Sequence, residues 1–163
     1  MHIPAKVDYG LRALLVLAAS AEPMTSRELA SDQELPAGFL SAIMNELRRA
    51  GLVTNQRGQE GGYRLARPAD EISLADVMRV LDGPLARVRG LRPEATDYSG
   101  SAKHLQVVWI AVRANLRNVL ERVTLFDVIE GRIPAMASEP SEESNLRPAP
   151  TMTDAPRLRS RLA

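Results

Sequence analysis

The sequence predicts a mainly α-helical fold that carries one β-hairpin. Apolar residues recur at helical spacing in three segments of residues 1–83, whereas residues 52–66 form two short strand-like stretches around a glycine-rich loop. A heptad pattern then runs through residues 105–123. The 163 residues, of which 45% are hydrophobic and 25% charged, suffice for one globular domain.

The first two helices are predicted from periodicity and capping. Residues 5–20 carry leucine and alanine at i, i+3, i+4 and i+7, which places these side chains on one face of a helix. Thr25 and Glu28 form a capping box, so a second, short helix begins there. Pro36 then suits the first turn of a third helix, because its missing N–H would have no partner at that position.

The third helix, residues 37–50, has two unlike faces. Gly51 ends it as a C-cap glycine. We expect one face to be buried, with the side chains of Leu40, Ile43, Met44 and Leu47. The opposite face carries small, amide and cationic residues: Gly38, Ser41, Asn45, Arg48 and Arg49.

A β-hairpin follows, with strands predicted at residues 52–57 and 63–66 and a turn at residues 58–62. The glycines of that turn allow the backbone to reverse direction. Two short helices, a helix with a polar face and a glycine-tipped hairpin together predict a winged helix-turn-helix.

The C-terminal half is predicted to contain one more core helix and one long helix. Ser73 begins a helix that Gly83 and Pro84 stop, and residues 84–101 show no clear period. The long helix, residues 102–123, would be roughly 33 Å long, which is more than this small domain can cover alone. We therefore expect its seam to form a homodimer. The seam residues are Leu105, Trp109, Val112, Leu116, Val119 and Val123.

These predictions divide the chain into four regions. Residues 1–83 form the winged helix-turn-helix, residues 84–101 a loop, and residues 102–133 the dimerisation helix with a short closing helix. Five of the eleven prolines fall in the last thirty residues, among serine, glutamate and alanine, so residues 134–163 are predicted to be a disordered tail.

The distribution of charge points to DNA. The net charge is only +1, but residues 48–67 contain five arginines and one acid, whereas residues 1–83 as a whole contain nine basic and eleven acidic residues. Arginines on a solvated face also serve solubility, yet within a complete winged motif this concentration favours phosphate binding. We predict a double-stranded DNA contact through Lys6, Thr25, Gly38, Ser41, Asn45, Arg48, Arg49, Arg57, Gln59 and Arg64.

Three of these residues have particular roles in the prediction. Arg57 at the hairpin tip suits insertion into a narrow minor groove. Ser41 and Asn45 lie one helical turn apart and would reach base edges, since asparagine pairs well with adenine. The alternative is that both are ordinary polar residues of a helix surface.

Several other classes of protein are excluded or disfavoured. The chain has no cysteine, which rules out disulfides, thiolate metal sites and a cysteine nucleophile. Its two histidines are isolated and no catalytic triad or carboxylate pair stands out, so we predict no metal, no cofactor and no enzyme activity. The N-terminus resembles neither a signal peptide nor a membrane span, which predicts the cytoplasm.

Several short motifs along the chain carry a family resemblance. They are Lys6 with Asp8-Tyr9 and Leu11-Arg12, Phe39-Leu40 to Leu47, Ala50-Gly51-Leu52-Val53, Arg57-Gly58 and Gly61-Gly62-Tyr63, Leu65-Ala66-Arg67-Pro68, and Glu71-Ile72 to Asp76-Val77. These residues resemble the Rrf-two (Rrf2) family of bacterial winged-helix regulators, relatives of the iron–sulfur cluster regulator and the nitric-oxide-sensing repressor. The resemblance covers residues 1–131, including Trp109 and the closing Thr124-Leu125 and Asp127, and residues 82–100 are most like actinobacterial members.

The resemblance implies homodimers formed by the long helix, palindromic operators and repression. It also implies that Arg57 enters the minor groove and that Ser41 holds a base-reading position. One departure is important: sensing members carry three cysteines in the loop that here spans residues 88–103, and this chain has none. Because iron–sulfur clusters are held chiefly by thiolates, we predict a regulator without a cluster.

Two alternatives to these roles remain open. A winged helix that binds another protein would need an apolar or acidic recognition face, and the cluster of Arg48, Arg49 and Arg57 argues against one. Trp109 is compatible with stacking on a ligand, although a tryptophan in a seam is more often interface core. The signal, whether a small molecule or a partner protein, is not named by the sequence.

Overall fold

The computed structural model describes residues 2–56 and 61–133. The predicted mainly helical fold with a two-stranded wing and a long C-terminal helix is confirmed. Arg57, Gln59 and the predicted tail of residues 134–163 lie outside the described residues. The elements are α1 (Ala5–Ala19), α2 (Ser26–Asp32), α3 (Ala37–Arg49), β1 (Val53–Gln56), β2 (Gly62–Leu65), α4 (Leu74–Asp82), α5 (Leu105–Leu120) and α6 (Leu125–Glu130), with short 3₁₀ helices at Ala69–Glu71, Pro93–Ala95 and Gly100–Ala102.

The core lies between α1, α3, α4 and α6. The four side chains predicted to form the buried face of α3 are at most 1% exposed, which confirms that face. Their partners from α1 and α4 recur at helical spacing, so each helix contributes one apolar stripe. The largest contributors are Val7, Leu14, Leu40, Ile43, Met44, Leu47 and Val77.

Capping boxes begin three of the helices. The Thr25 box at α2 was predicted and is confirmed, and Ser73 is the predicted N-cap of α4. Ser73 also forms a full box with Asp76, and Thr124 forms another with Asp127 at the start of α6. In each box the two residues satisfy N–H groups that have no partner inside the helix.

The wing is an antiparallel hairpin in which Val53 pairs with Leu65 and Gln56 with Gly62. Met24, in the turn before α2, adds a short bridge to Tyr63: the Met24 N–H donates to the Tyr63 carbonyl at 3.1 Å, and the Tyr63 N–H donates back at 2.8 Å. This pair of hydrogen bonds fixes the wing relative to the helix-turn-helix.

The segment 84–101 is more structured than the predicted loop. It contains the 3₁₀ helix Pro93–Ala95, and Val88 and Leu91 form a short bridge within it. Thr96 is 3% exposed and its hydroxyl donates to the Pro93 carbonyl at 2.6 Å. These turns are too short to produce a periodic apolar pattern, which explains why the sequence did not reveal them.

The long helix is shorter than predicted. α5 spans 16 residues, or about 24 Å, instead of residues 102–123. Its start is preceded by the 3₁₀ helix Gly100–Ala102. Its inner face is tied to the preceding segment, because Arg113 donates to the Glu94 carboxylate at 2.5 Å and Gln106 donates to the Thr96 carbonyl.

Val123 was predicted to be a dimer-seam residue, and this is wrong for the described chain. The Leu74 N–H donates to the Val123 carbonyl at 2.9 Å, and the Leu125 N–H donates to the Ile72 carbonyl at 3.0 Å. These bonds pair the starts of α4 and α6 and draw Val123 off the helix axis. Its side chain is 4% exposed, so it is part of the monomer's own core and is not available to a second copy.

Candidate nucleic-acid interface

The outward face of α3 presents the predicted combination of small, amide and cationic residues. Gly38, Asn45, Arg48 and Arg49 are exposed, and Ser41 is half-buried. The helix begins after Pro36 without a side-chain cap, so no side chain covers the backbone N–H groups of its first turn. Such N–H groups and the two arginines of the last turn are both suited to phosphate oxygens.

The cations of this region fall into two groups. Arg48, Arg49 and Arg67 are exposed and form no ion pair with the residues that the structure describes. Lys6 and Arg64, which were predicted to contact DNA as well, each have a carboxylate partner. The unpaired arginines therefore provide the mobile positive charge of this surface.

Lys6 holds α3 rather than facing outward. Its Nζ donates to Oε2 of Glu46 at 2.7 Å, and both side chains are about one-third exposed. The pair connects α1 to α3 and neutralises the one acidic residue of α3. A second contact joins the same helices, because the ring of Tyr9 meets the ring of Phe39 edge-on at 5.9 Å between centroids. The sequence did not predict either contact.

Arg64 has a weaker partner. Its Nη2 lies 3.6 Å from Oε2 of Glu22, whose side chain is 83% exposed. Exposed pairs of this kind contribute about 0–1 kcal/mol, so a phosphate would displace Glu22 at little cost. Arg64 thus stays compatible with a DNA contact.

Thr25 is committed to the start of α2. Its hydroxyl donates to Oε2 of Glu28 at 2.8 Å and accepts the Glu28 N–H at 3.3 Å. The Thr25 N–H and then its hydroxyl hold the pKa of Glu28 below its ordinary value. The hydroxyl is therefore engaged within the chain, although the residue itself is exposed.

Close approach at Gly62 explains part of the glycine-rich motif. A Cβ atom at this position would lie 2.7–2.8 Å from the backbone C, N and O of Met24. Only glycine allows the wing to form the Met24–Tyr63 bridge at this distance. The signal in the sequence is the pair Gly61-Gly62 before Tyr63, which the local pattern assigns to the turn alone.

The remaining predicted dimer residues lie on two sides of α5. Leu105 and Val112 are 36% and 43% exposed, whereas Trp109, Leu116 and Val119 are half-buried. Trp109 and Leu116 line a cavity formed with the chain's own residues 82–93. No residue of α5 is buried in the monomer, and Val107, Val108 and Ile110 add 64%, 51% and 36% exposed apolar side chains. The helix thus carries an apolar outer face wider than the predicted seam.

Three comparisons identify this arrangement. A family model described as an iron-dependent transcriptional regulator, Rrf2, matches residues 3–131. The chain belongs to the Rrf2 family. It is a transcriptional regulator, and regulators of this family bind DNA and are not enzymes.

Individual relatives agree with the Rrf2 assignment. An HTH-type transcriptional regulator of Mycobacterium tuberculosis is 44% identical over 145 residues, which cover 88% of this chain and 90% of the relative. The HTH-type transcriptional regulator CymR of Bacillus subtilis is 35% identical over 130 residues, covering 78% and 89% of the two chains.

Solved structures have the same fold. The structure of CymR, the global cysteine regulator of B. subtilis, has a TM-score of 0.69 at 32% identity and covers 80% of this chain and 98% of its own. The structure of T. potens IscR has a TM-score of 0.66 at 28% identity and covers 91% and 94%.

The donor set of this Rrf2 chain does not fit an iron centre. Thiolates are the usual ligands of iron–sulfur clusters, and the chain has no cysteine. Across residues 2–56 and 61–133, no three histidine, aspartate or glutamate side chains are grouped so as to hold a metal ion. The same part of the chain contains no helix long and apolar enough to cross a membrane.

Proposed function

We propose that this Rrf2 chain is a homodimeric, sequence-specific repressor that binds a palindromic DNA operator without an iron–sulfur cluster. The observation that carries the proposal is the exposed cationic end of α3. Arg48 and Arg49 have no ion-pair partner in the described chain, while the one acid of the helix, Glu46, is neutralised by Lys6. This leaves α3 with net positive charge on the side that faces solvent, as a phosphate contact requires.

Base recognition is assigned to the middle of the same helix. Asn45 is exposed and Ser41 lies one turn before it, beside the exposed Gly38. A small residue at Gly38 lets the helix approach the floor of the major groove, where asparagine and serine read base edges. Arg57 and Gln59 are proposed to contact the adjacent minor groove and backbone from the wing tip, with Arg64 beside them.

The dimer is proposed to form through α5. A helix of 16 residues with no buried side chain and several exposed valines and isoleucines is not covered by its own chain. Contiguous apolar surface of this kind marks an interaction site. A homodimer then presents two winged helices, residues 1–83 of each copy, to two half-sites, and this favours a palindromic operator.

Several parts of the proposal rest on the family resemblance or on the sequence alone. Repression is the mode of regulation implied by the resemblance. The cytoplasm is the expected location, since the protein must reach DNA. Residues 84–101 separate the DNA-binding region from the region proposed to dimerise, residues 102–133. The effector is expected to be a small molecule or a partner protein.

DNA binding is tested by single substitutions in a titration with DNA from upstream of the protein's own gene. We expect Arg48→Ala and Arg57→Ala each to weaken binding by about 1–3 kcal/mol and to reduce the salt dependence, because each removes one cation from the phosphate or groove contact. Fluorescence anisotropy at two salt concentrations measures both quantities.

The matched control is Arg92→Ala. Arg92 is exposed in the segment 84–101, far along the chain from the winged helix, and its replacement removes the same charge. Equal losses for Arg92→Ala and Arg48→Ala would show that only net charge is involved. Unchanged affinity in both winged-helix variants would instead support a module that binds protein.

A further inference from the structure

The segment 84–93 and the inner face of α5 enclose a cavity of about 580 Å³. This volume lies within the range of about 300–1,000 Å³ that is typical of small-molecule sites. Most of the lining is apolar, from residues that include Met78, Leu85, Val88, Pro93, Trp109 and Leu116. The cavity is separate from the outward face of α3.

The cavity contains a hydrogen-bond donor without an acceptor. The indole N–H of Trp109 is buried and has no partner among the described residues. A buried N–H without a partner costs about 1–3 kcal/mol, so a group that accepts this hydrogen bond is favoured at this position. Trp109 supplies the largest ring of the lining and thus places a polar donor against an otherwise apolar wall.

The charged residues of the lining leave an excess of positive charge. Arg87 lies 3.7 Å from the Asp82 carboxylate and donates to the Asp82 carbonyl at 2.7 Å, so these two residues compensate each other. Arg89 forms no ion pair with the described residues; its guanidinium lies 5.2 Å from the centre of the Tyr98 ring. Ring contact holds the guanidinium in place without neutralising it.

We propose that this cavity binds a small apolar carboxylic acid, with the carboxylate near Arg89 and the indole N–H of Trp109, and the hydrocarbon or aromatic body against the apolar wall. A carboxylate supplies acceptor oxygens and a negative charge, and these are the two properties that the donor and the cation lack in partners. An acid of about ten carbons is compatible with the volume. The site does not depend on DNA binding, so the test uses no DNA.

The test uses the full chain and decanoate as the probe, with decanol as the uncharged probe of the same length. Trp109 is the one tryptophan of the sequence, so its fluorescence reports directly on the cavity. We expect a saturable change in its emission with decanoate, and binding of decanol about tenfold weaker or more. Calorimetry provides the same comparison without relying on fluorescence.

Two exposed arginines of the same segment give a matched pair of variants. Arg89→Ala should weaken decanoate binding about tenfold and leave decanol unaffected, whereas Arg92→Ala, which does not line the cavity, should change neither. Trp109→Phe, followed by calorimetry, should reduce the preference for decanoate over decanol.

Three results would overturn the proposal. One is the lack of any saturable response to decanoate at millimolar concentration, which is the result expected if a second copy of the chain filled the cavity. Another is equal affinity for decanoate and decanol. The third is an equal loss of affinity in Arg89→Ala and Arg92→Ala. None of them affects the DNA-binding proposal, because that proposal is measured on separate variants of α3 and the wing.

Discussion

Individual side chains of the winged helix are divided between those that hold α3 in place and those left for a partner. Lys6 and Tyr9 on α1 contact Glu46 and Phe39 on α3, and these contacts set the tilt of the helix. Arg48 has no such contact with the described residues and extends into solvent. The DNA-binding role therefore concentrates on fewer cations than the ten predicted positions suggested.

Gly62 gives a prediction about stability at the scale of one residue. A Cβ atom at Gly62 would approach the backbone of Met24 to 2.7–2.8 Å, and backbone cannot yield as a flexible side chain does. Gly62→Ala should therefore lower the free energy of unfolding by about 1–3 kcal/mol, the usual cost of overpacking. Urea denaturation measures the change.

Gly38→Ala is the control for this variant. Nothing lies within 4 Å of a Cβ atom at Gly38, which is a helical residue. Alanine is favoured over glycine in helices by up to about 1 kcal/mol, so this variant should be at least as stable as the parent. If Gly62→Ala is as stable as Gly38→Ala, the wing is not held by the Met24 bridge.

At the scale of elements, the starts of α4 and α6 form one joint structure. Each begins with a capping box, and Ser73 and Thr124 pair through a short bridge. In the second box the Asp127 carboxylate accepts the Thr124 N–H at 2.9 Å and the Thr124 hydroxyl at 2.7 Å. These bonds, with the backbone N–H first, hold the pKa of Asp127 below its ordinary value.

The lowered pKa of Asp127 predicts a pH-dependent contribution to stability. Because the folded chain favours the ionised carboxylate, its contribution is present at neutral pH and is lost as the pH falls through the lowered pKa. Asp127→Asn should therefore be less stable than the parent at pH 7. The difference should narrow as the pH falls below about 4, where the carboxylate of the unfolded parent becomes protonated. Thermal unfolding across this range measures it.

Asp70→Asn is the matched control for the pH series. Asp70 is an exposed residue of the 3₁₀ helix Ala69–Glu71 and forms no ion pair with the described residues. The stability of this variant should follow that of the parent at every pH. A difference between Asp127→Asn and the parent that stays constant with pH would assign the effect to shape rather than to charge.

At the scale of the whole molecule, the apolar outer face of α5 is the largest feature that the monomer does not explain. Its inner face contacts the segment 93–96 and the cavity, whereas Val107, Val108 and Ile110 face solvent. The predicted seam combined residues of both faces, because a heptad pattern does not distinguish a helix partner in the same chain from one in a second copy.

Val108→Asp tests the proposed dimer. Val108 is 51% exposed in the monomer, so a carboxylate there leaves the fold intact but would be desolvated in a dimer interface. Sedimentation should then report a monomer, and operator affinity should fall, because a single half-site gives only part of the contacts. Leu91→Asp, at an exposed residue of 49% off α5, is the control and should stay dimeric. A dimeric Val108→Asp would place the interface elsewhere.

The absence of cysteine gives a prediction about iron. Protein purified anaerobically from iron-supplemented cells should be colourless, without stoichiometric iron and without absorbance between about 300 and 500 nm, because thiolate ligands are lacking. It should bind its operator equally with and without oxidant. Stoichiometric iron with that absorbance would contradict the argument from ligands.

The sequence by itself determined the helices, their caps and the family. The apolar stripe of α3, the Thr25 capping box and the glycine-rich hairpin each depend on residues within a few positions of one another, so periodicity and local hydrogen bonding predict them. The missing cysteines likewise needed no structure.

The tertiary structure alone decided which side of each element has a partner. Lys6 and Glu46 are 40 residues apart, and nothing local marks them as a pair. Val123 continues the heptad pattern of α5, yet its carbonyl bonds to Leu74 and its side chain enters the core. The approach of Gly62 to Met24 and the cavity beside Trp109 also arise between distant segments. Contacts of this kind depend on how the elements pack, and local sequence patterns do not encode that packing.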